Sequence, residues 1–265
     1  MTAALWFALT VLLAAPESPG YVAYQRANAL FVKQDFTAAQ KALDEALGLE
    51  PKLVPALTLN AKLAMANNRF DVARRNLETA LAVDPQAQYA QFLYGLTAYL
   101  ANDMPAALSR FRAAHRLKKD EPKATLYLGL ALESTGNTSE ALEMYREAIR
   151  LEQAAGTLQA DTLLPGIRLQ LVLGRADAAE QWARQTMQLA PEDRDPRFEY
   201  ARVLLALGKP GEAAAAAEKA LTLRGGIATD VQIHYLLIRA WRESGQPDRA
   251  ALHAATVRAM EAGGK

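Results

Sequence analysis

Alanine recurs in this chain at a fixed interval: Ala39, Ala73, Ala107 and Ala141 stand 34 residues apart, and so do Ala46, Ala80, Ala114 and Ala148. After a slip of four residues the first register resumes at Ala179 and Ala213, and after three more at Ala250. A period of this size, sustained nearly end to end, rules out one closed core. It requires supersecondary units that bury their apolar faces only against neighbours. Seven repeats are read, over residues 20–53, 54–87, 88–121, 122–155, 160–193, 194–227 and 231–264. They form a single array, with slips at 156–159 and 228–230 and no visible linker or second domain.

Each repeat divides into two helices. Gln34, Asn68, Asn102, Gly136, Gly174, Gly208 and Gly245 stand just before the second half, where a left-handed residue ends a helix. Three residues later, Thr37, Asp71, Ser139, Asp177 and Asp248 are the expected N-caps. Gln40 and Glu180 complete the capping-box spacing with Thr37 and Asp177. Pro105 and Gly211 take the cap position in the third and sixth repeats, so those starts are expected to be weaker. Ala39 and Ala46 are two turns apart and share one face, and a methyl group there lets the neighbouring helix approach closely. Leu43, Leu77, Phe111 and Tyr145 supply bulk between the alanines, and Pro51, Pro85 and Pro191 stop the second helices. Pro165-Gly166 predicts a late start or a kink in the fifth repeat.

With a small residue in the first helix (Ala27, Ala61, Gly95, Gly129, Ala201), A-x3-[F/Y] at Ala107–Phe111 and Ala141–Tyr145, and the terminal prolines, the chain resembles the tetratricopeptide repeat family. The resemblance loosens over the last three repeats. There Ala183, Ala217 and Ala254 replace the bulky position, and Ile167 and Ile238 replace the small one, so closer packing or a different angle is expected. The implied fold is all-α, a tetratricopeptide-like right-handed superhelix of antiparallel helix pairs, an α-solenoid.

Composition bounds the partners. A net charge of +1 and a pI near 7.9 argue against electrostatic binding to nucleic acid or anionic membranes, and no single-sign block is apparent. The chain has no cysteine, so it has no disulfide framework or thiolate metal site. Residues 1–19 differ from the rest. They are apolar from Ala3 to Ala15, then break into Pro16-Glu17-Ser18-Pro19-Gly20, the length of a signal-peptide core and too short to span a membrane. No lysine or arginine precedes the apolar run. Export to the periplasm or beyond is the reading, with a cytoplasmic N-terminal helix as the alternative.

No catalytic, cofactor or metal constellation is found. His115, His234 and His253 lie in three different helices without the i, i+4 spacing of a zinc peptidase. Gly225-Gly226 lacks a phosphate loop's spacing, and there is no G-x-S-x-G elbow. The chain is therefore read as non-enzymatic, a protein-interaction scaffold that takes a protein or peptide partner. Envelope assembly, secretion or a pilus-type process is the expected setting, a cytoplasmic adaptor or regulatory module for an enzyme partner is the alternative, and an enzyme whose site the motifs do not show ranks a distant third.

The resemblance further implies that first helices line a concave groove. The positions carried over are Tyr21, Tyr24, Asn28, Phe31, Lys62, Tyr89, Phe92, Tyr99 and Leu126, then Arg168, Arg202, Arg239 and Arg242. The first set is aromatic and apolar; the second is an arginine ladder suited to carboxylates. Aromatics at this spacing also suit packing between helices, and the arginines also suit pairing with glutamates. The family's chaperone-tail clamp is not reproduced: of Tyr24, Asn28, Leu59, Tyr89 and Leu93 at its five positions, only Asn28 agrees. Self-association is expected through the last helix, where Leu252, Val257 and Met260 lack a covering helix.

Overall fold

The computed structural model describes residues 17–263, so the proposed signal segment lies outside the described residues up to residue 16. Among the described residues the fold is all-α. The helices pair as α1 (Pro19–Val32) with α2 (Phe36–Leu49), α3 (Val54–Ala66) with α4 (Phe70–Val83), and α5 (Gln88–Leu100) followed by α6 (Met104–Leu117). They continue as α7 (Pro122–Ser134) with α8 (Thr138–Ala155), α9 (Ala160–Val172) with α10 (Ala176–Leu189), α11 (Arg194–Ala206) with α12 (Pro210–Leu221), and α13 (Asp230–Glu243) with α14 (Pro247–Gly263). Contacts group into two compact units, one ending at Ala101 and one beginning at Asn102.

The turns explain the pairing. All seven expected turn residues have positive φ, from 56° at Asn68 to 81° at Gly136. At Gly136 the backbone N–H donates to Glu133 C=O at 2.9 Å, and Asn137 N–H reaches back to Leu132 C=O at 2.8 Å. That pair of bonds is a Schellman motif, and it recurs around Gln34, Asn68, Gly174, Gly208 and Gly245.

The caps lie two residues earlier than the spacing predicted. One left-handed residue reverses the chain, so the residue after it already caps the next helix: Asp35 accepts from Ala38 N–H at 3.0 Å, and Asp103 from Ala106 N–H at 3.2 Å. Thr37, Asp71, Ser139, Asp177 and Asp248 fall inside the first turn instead, where the aspartates complement the helix dipole. Neither expected capping box forms: Gln40 donates to Asp44 and Asn60, and Glu180 accepts from Arg184 and Lys209. The box present is Thr229–Gln232, at the start of α13. The third repeat's second helix, expected to start weakly, is capped by Asp103.

Ala39, Ala73, Ala107, Ala141, Ala179 and Ala213 are completely buried, as are Leu43, Leu77, Phe111 and Tyr145. Gly129 is small because of Tyr145: a Cβ added there would stand 2.6 Å from the tyrosine ring. In the fifth repeat α9 runs continuously through Pro165, with neither a late start nor a break. The bulk that Ala183 lacks is supplied one residue earlier by Trp182, whose ring lies 2.6 Å from where a Cβ on Gly166 would be.

The two slips have separate causes. The slip at 156–159 is an added helical turn, since α8 has 18 residues against 14 in α2, α4 and α6, and left-handed Gly156 ends it. After α12 the chain runs through Gly225 and Gly226, both at φ 81°. Buried Asp195 holds that loop, accepting from Ile227 N–H at 2.8 Å and Ala228 N–H at 2.8 Å.

Candidate functional site

In the unit ending at Ala101, three first helices converge on a cleft of about 340 Å³. Of the residues expected at the groove, Tyr24 and Asn28 come to it from α1, Lys62 from α3 and Tyr89 from α5. Tyr21 stands behind Tyr24, ring centroids 5.6 Å apart. Lys62 Nζ lies over the Phe31 ring at 4.6 Å, a cation–π contact that fixes the ammonium at the cleft. Burial first, then the neighbouring Tyr21 and Tyr89, push the Tyr24 phenol above its ordinary value, so it remains a hydrogen-bond donor at neutral pH. Phe92 is different. It is only 8% exposed and stacks on Tyr89 at 6.2 Å, so it braces the tyrosine from within the core. Tyr99 is half-buried on the same helix.

Sequence spacing missed several of the cleft's residues. Thr58 forms part of its wall beside Leu59, one of the clamp positions named above, and Gln88 brings a buried side-chain Nε2 that has no hydrogen-bond partner among the described residues. A buried amide donor without an acceptor is costly unless something fills the space in front of it.

In the unit beginning at Asn102, Leu126 is half-buried on α7. The arginine positions prove to be largely compensated. Arg168 Nε donates to Glu199 Oε1 at 2.6 Å, and one Arg202 nitrogen to Glu199 Oε2 at 2.7 Å. The Glu199 side chain is 2% exposed, so both guanidinium groups serve to satisfy one buried carboxylate. Arg239 Nε donates to Glu243 at 2.7 Å. Arg242 is exposed, and no carboxylate reaches it among the described residues. The signal for Glu199 and Glu243 was in the sequence, since they stand three residues before Arg202 and four after Arg239, within reach on one helix face.

His234 and His253 meet, Nδ1 to Nδ1 at 3.0 Å, from α13 and α14. Among the described residues no third ligand joins them to make a metal-holding group. His115 Nδ1 lies 3.1 Å from the Thr125 hydroxyl. At the last helix Leu252 is 69% exposed, but Val257 is buried against the core, so the apolar end is narrower than expected.

The tetratricopeptide repeat family model matches residues 58–122, 105–156 and 198–262, together more than half of the sequence. The chain belongs to the tetratricopeptide repeat family. The matches leave out the first and fifth repeats of this tetratricopeptide repeat protein; in the fifth, the bulky and small residues have shifted by one position. No curated protein matches the sequence. Among solved structures, PilW, a type IV pilus biogenesis factor, is similar at 17% identity and TM-score 0.68, over 78% of this chain and 94% of that one. A tetratricopeptide repeat protein from Parabacteroides merdae is similar at 16% identity and TM-score 0.64, over 91% and 93%. A chain of the APC/C hetero-tetramer Cut9-Hcn1 gives 17% identity and TM-score 0.67, over 83% of this chain but only 42% of its own length. At these identities the likeness is one of fold. A fold of this family is that of a protein–protein interaction scaffold.

Proposed function

We propose that the cleft formed by α1, α3 and α5 captures an extended segment of a protein partner, and that the capture serves an assembly, secretion or pilus-type process in the bacterial envelope. One observation carries the binding reading. The cleft joins tyrosine faces to a fixed ammonium (Lys62) and to an amide donor (Gln88 Nε2) that has no acceptor among the described residues. An extended peptide offers what is needed: a carbonyl or carboxylate for the donors and an apolar side chain for the rings. The arginines of the other unit contribute less, because Glu199 and Glu243 neutralise much of their charge. The envelope setting is supported by the apolar first residues, which have the length of a signal core, and by the fold shared with PilW.

A photoreactive residue at Tyr89, compared with one at Arg202, tests the binding reading in cells. A protein captured at Tyr89, and lost on Lys62→Glu, is the expected result; capture only at Arg202 would move the site to the other unit. For the compartment, a C-terminal tag should appear in the periplasm or medium, on a chain shortened at its N-terminus. Full-length protein in the cytosol would end the envelope reading.

A further inference from the structure

On the opposite helices of the unit beginning at Asn102, one second helix differs from the rest. α6 carries Arg110, Arg112 and Arg116 and no aspartate or glutamate, and Lys118 and Lys119 follow it. Every other second helix holds at least one acidic residue. The stretch from Met104 to Lys119 is thus a single-sign block, which the near-zero net charge of the whole chain conceals.

A cleft of about 710 Å³ opens beside it, between α6 and α8. Leu108, Leu128 and Met144 give it an apolar floor, while Arg112, Arg116 and Glu140 stand at its rim. Glu140 is already taken, accepting from Arg112 at 2.8 Å. Arg116 is exposed, and no carboxylate pairs with it among the described residues. An apolar trough bordered by an uncompensated guanidinium selects a ligand with an apolar side chain beside a carboxylate. A polynucleotide fits poorly, because Arg112 is already paired with Glu140 and Lys118 with Glu121, which interrupts the row of cations that tracking phosphates would need.

We propose that the α6–α8 cleft is a second docking surface, taking an acidic segment of a protein partner with an apolar side chain between Leu108 and Met144 and a carboxylate on Arg116. The surface is distinct from the α1–α3–α5 cleft and does not depend on it.

Methionine-methyl NMR on the whole chain separates the two. Met144 reports on this cleft, and Met65, on α3, reports on the unit that holds the first cleft. A short peptide of alternating glutamates and leucines should shift Met144 saturably. Its glutamine counterpart, or the Arg116→Glu variant with the original peptide, should bind about ten-fold more weakly. Arg116 is exposed, so the exchange leaves the fold intact. A peptide that moves only Met65, one that moves neither methyl, or one indifferent to Arg116→Glu overturns the proposal. So does a thymidine oligonucleotide that shifts Met144 more strongly than the peptide.

Discussion

The fourth and fifth repeats solve the same packing problem in different registers. In the fourth, Gly129 on α7 makes room for the Tyr145 ring on α8. In the fifth, the corresponding positions hold Ile167 and Ala183, both fully buried, and the glycine–aromatic contact moves one residue back to Gly166 and Trp182. The separation of glycine and ring along the chain is unchanged; their placement in the repeat is not. A first helix and its partner therefore need one small-against-large contact, and the repeat tolerates its displacement by a residue. The seventh repeat departs from the series: His253 stands where the fifth has Trp182, but Leu237 takes the glycine position and the ring meets His234 instead.

The largest test of this equivalence is removal of the ring. Tyr145→Ala should cost about 3–5 kcal/mol and Trp182→Ala somewhat less, about 2–4 kcal/mol, because the tryptophan is partly exposed. Urea denaturation would measure both, and a neutral Trp182→Ala would show that the fifth repeat dispenses with the contact. Adding a methyl from the other side is gentler. Gly129→Ala and Gly166→Ala should each destabilise by about 1–3 kcal/mol, and Trp182→Leu should relieve the second but not the first. Loss of that selectivity would break the pairing of Gly166 with Trp182.

Turn residues offer a smaller contrast. Gln34, Asn68 and Asn102 hold the left-handed turn in the first three repeats, and glycine holds it in the last four. Gln34→Gly should stabilise by about 0.5–1 kcal/mol, and Gly174→Ala should destabilise by about as much or slightly more. The effect at Asn68 should be smaller, since asparagine tolerates this conformation. The seventh repeat should respond to acid. Burial holds both His234 and His253 below the ordinary 6.5; His253 further opposes a proton on His234, while Glu218 partly offsets burial at His253. The folded form thus binds fewer protons than the unfolded one as pH falls through about 6.5, so stability is intact above that pH and declines below it. Denaturation midpoints at about pH 7.5 and about pH 5.5 should show the decline, and His253→Phe, which imitates Trp182, should reduce it.

The helix pairs were legible in the sequence because alanine is forced at every close approach, and periodicity records that demand directly. Turn residues were legible for a similar reason, since the left-handed conformation restricts composition. The caps were misplaced because Asp35 and Asp103 are adjacent to the turn residue, a position the repeat spacing assigns to the turn itself. At the candidate sites, Tyr24, Lys62 and Tyr89 could be carried over by position, whereas Gln88 could not; the i, i+3 spacing of Glu199 and Arg202 was readable, but the burial of Glu199 was not. Their importance comes from burial and from what neighbouring helices fail or manage to supply, and that is a property of packing. Charge on α6 was concealed by averaging over the chain.

Around Gln34, Asn68, Gly136, Gly174, Gly208 and Gly245 the residue after the left-handed one both closes one helix and opens the next, so no slack exists inside those pairs. Length can change only between pairs, and the two places where it does are the added turn before Gly156 and the loop held by Asp195. Those two junctions are where the chain would accept a grafted loop or an inserted reporter. A single residue added at Gly136 or Gly174 would turn the following helix by about 100° and swing its alanine face out of the interface.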